Sequence, residues 1–130
     1  MRQRSVLLDK VGHNATPITL ACRVGPILAT SGVMGRSSET GVMPDNAAGQ
    51  VEGCFDNLKL ILADAGMDLG DVVKFTFYVK EEDFRAAIDP VWLRYYPEPT
   101  QRPARHTQVM PLRGAVLVQL EVLAVAKEAS

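Results

Sequence analysis

Residues 72–79, Val72-Val73-Lys74-Phe75-Thr76-Phe77-Tyr78-Val79, alternate in a strict period of two. Val73, Phe75, Phe77 and Val79 fall on one side, and Lys74, Thr76 and Tyr78 fall on the other. That is the signature of a β-strand with one wholly apolar face. Such a face has to be covered, and the segments on either side offer the cover. Upstream, Val51, Phe55, Leu58, Leu62 and Ala65 recur at spacings of three and four, which predicts a helix with one apolar stripe. Cys54 and Ile61 widen the stripe. Asp45 is placed to cap the start of this helix, and Gly66 to end it as the first residue past the C-cap. Gly49 and Gly53 weaken its first turns, a weakness that close packing would explain. Downstream, residues 81–88 carry a short helical pattern. Asp89 as N-cap and Pro90 as first helical residue restart it. Val91, Trp92, Tyr95 and Tyr96 form its apolar side, and Pro97 and Pro99 stop it.

Further out, residues 20–23 and 27–31 read as a hairpin around Val24-Gly25-Pro26. The polar, glycine-bearing stretch 32–44 reads as a long loop, a common place for function. Residues 104–109 form a strand, 111–114 a turn and 117–125 a closing strand. The predicted order is ββ-α-β-α-ββ: an α+β sandwich in which two helices pack on one face of a sheet, as a single domain over residues 1–130. The closing strand sets Val118, Leu120, Val122 and Ala124 on one face. Its second face, Leu117, Gln119, Glu121, Leu123 and Val125, is also largely apolar. The helices can cover only one of these faces, so a partner subunit is expected on the other.

Composition narrows the function. Apolar residues make up 47% of the chain and charged residues 22%, as in an ordinary globular domain, so disorder is not expected. With 14 basic against 15 acidic residues there is no excess to neutralise phosphates, which argues against nucleic acid as the main partner. Cys22 and Cys54 lie in no Cys/His cluster and read as two reduced, buried thiols. His13 and His106 lack ligands at metal-binding spacing, so no metal site is expected. The stretch Met1 to Lys10 has no apolar core long enough for a signal peptide. No segment approaches the roughly 20 apolar residues of a membrane span. The expected location is the cytoplasm.

Three polar residues stand among apolar neighbours. Arg105 opens a strand, and its planar fork of donors suits a carboxylate, although an arginine is more often a surface ion-pair partner. Glu121 interrupts the closing strand. A carboxylate there needs a partner, so it either orients a water or forms a structural salt bridge. Thr107 leaves its strand on the same face as Arg105, where it helps hold a ligand or is simply a β-branched strand residue. There is no Walker loop, GxSxG elbow or GxGxxG.

Several segments in order resemble the RidA family, also called YjgF or L-PSP endoribonuclease-like. They are Thr30-Ser31-Gly32, Thr40-Gly41-Val42-Met43-Pro44, Asn57-Leu58-Lys59, Ala65-Gly66, Asp71-Val72-Val73-Lys74, Pro103-Ala104-Arg105 and Val118-Gln119-Leu120-Glu121-Val122. The resemblance runs from about Thr16 to Val125. It implies a chorismate-mutase-like α+β fold, a homotrimer with ligand clefts between subunits, and hydrolysis of reactive 2-imino and enamine acids to 2-oxo acids and ammonia without metal or cofactor. In that scheme Arg105 clamps the substrate carboxylate, and the backbone at Ser31 and Gly32 contacts the same ligand. Glu121, helped by Thr107, holds the attacking water. A binding or protein-protecting module using the same cleft is the alternative. Ribonuclease activity fits less well, because the charge is near neutral and no paired histidines are present.

The chain departs from the family pattern at named positions. Thr107 replaces the usual cysteine, and Ile18 stands where many members carry a tyrosine that lines the cleft. Asp89 takes the place of the usual asparagine, and Arg36 is an additional cation near the cleft. The anion clamp and the acid are kept while the pocket wall changes, which implies an altered substrate range or weak activity on the usual amino-acid-derived imines.

Overall fold

A computed structural model describes residues 3–6 and 17–128. His13, Thr16 and most of the stretch read for a signal peptide lie outside those residues.

One mixed sheet carries the fold. Its strands are β1 (Gln3–Val6), β2 (Ala21–Val24), β3 (Ile27–Thr30), β4 (Val33–Met34), β5 (Val72–Val79), β6 (Ala104–Val109) and β7 (Val118–Val125). The sheet order is β1-β2-β3-β7-β5-β6, with β4 also paired to β7. Neighbours are antiparallel except β5 and β6, which run parallel. The helices are α1 (Ala47–Asp64) and α2 (Ile88–Tyr95). The α+β sandwich with both helices on one face is as expected. The sheet gains β1 and the two-residue β4, which is too short to show a period and lies inside the stretch read as loop.

The apolar core is aromatic. Phe55 from α1 packs on Phe75 and Phe77 of β5 at ring-centroid distances of 5.4 and 6.2 Å. Trp92 of α2 meets Phe75 edge-on at 5.1 Å. Val118, Leu120, Val122 and Ala124 of β7 complete the covered face. Burying aromatic side chains of this size is the largest contribution to the closed side of the sheet.

Several local expectations shift. Val73 does not join the core face. It forms a β-bulge between Val72, paired with Ala124, and Lys74, paired with Leu123, so Val72 turns inward and Val73 outward. The α1 cap is Asn46, not Asp45; its Oδ1 accepts the Gly49 N–H at 2.7 Å. Gly66 ends α1 as expected, with φ +74°. The Met67 N–H donates to Leu62 O and the Gly66 N–H to Ala63 O, a Schellman closure. Asp89 and Pro90 do not start α2. A 3₁₀ turn over Glu82–Ala87 runs straight into it, Ala87 takes the cap position, and Ile88 is the first helical residue. Pro90 still falls within the first turn, where its missing N–H removes no helical bond. Cys54 is fully buried, and burial pushes its thiol well above the ordinary range. Cys22 is only half-buried, contrary to expectation, because it lies on the uncovered face of β2.

Gly53 is tolerated in α1 because a Cβ there would collide with the carbonyl oxygen of Gly35. The loop after β4, rather than the sheet itself, is what approaches the helix so closely. Two buried polar residues fasten it there. Asn57 donates to the carbonyls of Met34 and Arg36 at 2.8 and 2.7 Å. Gln50 donates to Pro44 O and Ala115 O, and accepts from the Leu117 N–H, all at 2.8 Å.

Candidate active site

The register sorts the expected site residues into two groups. On β6, Arg105 lies beside Phe75 and Thr107 beside Phe77, so both side chains leave on the helix-covered face. The Arg105 guanidinium lies 5.1 Å from the Trp92 ring centroid and 5.5 Å from that of Phe77. Cation–π attraction to both rings helps hold the guanidinium there. Its Nη2 pairs with Asp89 Oδ1 at 2.8 Å. Because Asp89 is not spent on capping α2, its carboxylate is available for this pair. Arg105 is 23% exposed and Asp89 66%. The arginine is therefore held but reachable from the β6 edge of the sheet.

Glu121 belongs to the other group. It is opposite Thr76 on β5, and its side chain leaves on the uncovered face. The Tyr78 hydroxyl donates to Glu121 Oε1 at 2.7 Å. This bond, then burial and the carboxylate's charge, holds the Tyr78 hydroxyl above the ordinary tyrosine range. Beside Glu121 the sheet is interrupted. β3 pairs with β7 as far as Ala29 and Leu123, and β4 resumes at Val33 and Leu120. Thr30, Ser31 and Gly32 therefore face only Glu121 and Val122, and bulge. The orphaned Val122 N–H is satisfied by Thr30 Oγ1 at 2.9 Å. The Ser31 hydroxyl donates to Thr19 O at 2.7 Å, tying the bulge to the segment that carries Ile18. Ile18 itself is exposed. A hollow lined by Thr30, Lys74, Thr76 and Glu121 opens on this face.

Thus Arg105, Thr107 and Asp89 come together, and so do Glu121, Ser31 and Gly32. The two groups lie on opposite faces of one sheet. Arg36 joins neither, since it donates to Gly41 O at 2.8 Å and borders a groove against α1 with Glu52 and Asp56. His106 is exposed on the uncovered face. Among the described residues no three His, Cys, Asp or Glu side chains gather as a metal site, and no helix is long and apolar enough to cross a membrane. Sequence reasoning missed Tyr78, whose partner lies 43 residues away and is found only through the strand register. It also missed Gln50 and Asn57. Their spacing from Cys54 and Ile61 places all four on one line along α1, a signal that was available.

The protein is thus a small α+β sandwich with an arginine set against aromatic rings at one edge and a hydrogen-bonded carboxylate beside a broken strand pair. The family model for endoribonuclease L-PSP matches residues 13–126. The 2-iminobutanoate/2-iminopropanoate deaminase of Escherichia coli is 30% identical over 113 residues, 85% of this chain and 88% of that one. The crystal structure of the YjgF gene product from Escherichia coli superposes with a TM-score of 0.85 at 26% identity, covering 95% of this chain and 99% of the other. RidA from an Antarctic Psychrobacter also gives 0.85, at 28% identity, over 94% and 98%. The chain belongs to this family, the RidA/YjgF or L-PSP family, and relatives within it are named imine deaminases.

Proposed function

We propose that this protein hydrolyses 2-imino acids, and the enamines in equilibrium with them, to 2-oxo acids and ammonia, at a site completed between copies of the chain. The observation that carries this reading is Arg105, held over the rings of Trp92 and Phe77, partly exposed and paired with Asp89 through one N–H. Holding the substrate by its carboxylate fixes the adjacent C=N carbon and removes orientational freedom from the reaction.

Water adds to that carbon as Glu121 takes its proton, and the C=N π electrons pass to nitrogen. The carbinolamine then collapses. Glu121 returns that proton to the nitrogen, the C–N bond breaks and ammonia leaves, and the carbinol's hydroxyl proton is given up to solvent as C=O forms. The chain's own residues supply binding and proton transfer, and no metal or cofactor enters the scheme. Arg105 and Glu121 face opposite ways within one chain, so one copy supplies the arginine and another the glutamate. A homotrimer is the assembly we assign. The apolar open-face residues Val24, Ile27, Leu123 and Val125 are adjacent in register and exposed in the single chain, as a subunit interface requires.

Ile18 and Thr107 favour a second reading, carboxylate binding without turnover, because both remove polar or nucleophilic groups from the cleft. The two readings separate in a coupled assay. An amino-acid oxidase generates a panel of 2-imino acids, and their clearance is followed with wild-type protein and with Arg105→Ala. Acceleration that disappears in the variant supports hydrolysis. Ligand binding without acceleration supports the second reading.

A further inference from the structure

We infer that Asp89 is a specificity-determining residue, and that the Arg105–Asp89 pair selects a zwitterionic ligand, the protonated 2-iminium acid, over a simple carboxylate. The inference rests on Arg105 being the carboxylate clamp proposed above.

A lone arginine on a cleft wall accepts any small carboxylate, and that includes the 2-oxo acid product. Arg105 is not alone. Asp89 Oδ1 lies 2.8 Å from its Nη2, and that contact uses one N–H of the five that a guanidinium carries. Cation–π contact with the rings of Trp92 and Phe77 holds the guanidinium beside Asp89. Asp89 is the more exposed partner, so the pair presents a positive and a negative group side by side. A ligand bearing only a carboxylate gains from Arg105 and is repelled by Asp89. A ligand bearing a carboxylate and a cationic nitrogen on adjacent carbons can lie head to tail along the pair, carboxylate on Arg105 and N–H on Asp89. A protonated 2-imino acid has this layout. The product has lost the nitrogen, and with it the contact to Asp89, so the same pair favours product release.

The local fold explains why the carboxylate is free for this work. Asp89 lies in the first turn of α2 but caps nothing, because the preceding 3₁₀ turn feeds directly into the helix. An asparagine at this position would still accept from Arg105, but it would neither neutralise the arginine nor attract a cation.

The test is a set of equilibrium titrations on the assembled protein. L-Alanine serves as a stable zwitterion with nitrogen in the iminium position, and pyruvate as the matching 2-oxo acid. Dissociation constants are measured for wild type, Asp89→Asn and Arg105→Ala. Wild type should prefer alanine. Asp89→Asn should weaken alanine and tighten pyruvate by about threefold each, shifting the ratio by about tenfold, the scale expected for a partly exposed charge pair. If Arg105→Ala abolishes both while Asp89→Asn leaves the ratio unchanged or tightens both alike, the clamp stands and the role given to Asp89 is wrong. If Arg105→Ala leaves both ligands bound, the clamp itself is wrong, and this inference falls with it.

Discussion

The two faces of the sheet are built from the same strands and do opposite things. Phe75, Phe77, Leu120 and Val122 turn inward and disappear beneath α1 and α2. Their immediate neighbours Thr76, Tyr78, Glu121 and Leu123 turn outward, half-buried or exposed. The inward face is filled by rings that interlock, and it determines the fold. The outward face is a mosaic of aliphatic and polar groups, with a carboxylate held by a tyrosine beside an interrupted strand pair. Arg105 is the exception that links them. It grows from the closed face but emerges at the sheet's edge. In the proposed reading each face carries half of a site, the halves are joined only by meeting another copy of the chain, and assembly and chemistry become one question.

The contrast can be broken most forcefully by cutting into the closed face. Phe75→Ala should lose about 3–5 kcal/mol of unfolding free energy, as expected for a buried aromatic replaced by a cavity. Leu123→Ala on the open face should change the stability of the separated chain far less. Chemical denaturation of the two variants compares them directly.

Next in size are the two residues to which the proposed reaction is assigned. Glu121→Gln should reduce kcat by about 10²–10⁴-fold with little change in KM, because it removes proton transfer and leaves the carboxylate clamp in place. Arg105→Ala should raise KM as well as lower kcat. Steady-state kinetics on a single 2-imino acid separates these outcomes.

Charge placed on the open face tests its role in assembly. Leu123→Asp should convert the proposed trimer to smaller species, whereas Leu93→Asp, on the exposed side of α2, should not. Light scattering after size-exclusion chromatography reads the mass of each. If both variants keep the wild-type mass, the open face is not the interface.

The smallest effect belongs to Tyr78. Its hydroxyl is held above the ordinary tyrosine range by Glu121, so its phenolate absorbance should emerge at higher pH than that of an unperturbed tyrosine. In Glu121→Gln the midpoint should fall back. Because the folded-state value is raised, the stability this bond contributes is complete below the ordinary tyrosine value. It is lost as pH rises through the folded one. Tyr78→Phe should lower kcat severalfold and leave KM unchanged, since in the proposed scheme the bond acts by positioning Glu121.

Much of this arrangement was legible before the structure. The alternation in residues 72–79, the stripe on α1 and the Gly66 stop each follow from local rules of spacing and backbone geometry, and each stands with at most a one-residue shift. Val73 was misplaced because a bulge has no signature in an alternating sequence. Asp89 was misread as a cap because the continuity of the 3₁₀ turn into α2 is not encoded in any single residue. That Arg105 and Thr107 share a face follows from their spacing. That Glu121 lies on the other face does not, because it depends on the register of β6 on β5 and of β5 on β7, a relation between segments far apart in the chain. Tyr78 was invisible for the same reason.

The central claim is that one copy supplies Arg105 and another supplies Glu121. The measurement that tests it most directly is activity in mixed assemblies of Arg105→Ala and Glu121→Gln chains, unfolded together and reassembled at equal ratio. Neither variant alone should turn over substrate appreciably. In the mixture each site draws its two halves from different copies, so about a quarter of sites should hold both intact residues, and about a quarter of wild-type activity should return. If the mixture stays as inactive as its components although mixed oligomers have formed, the two residues do not meet across an interface and the account is wrong.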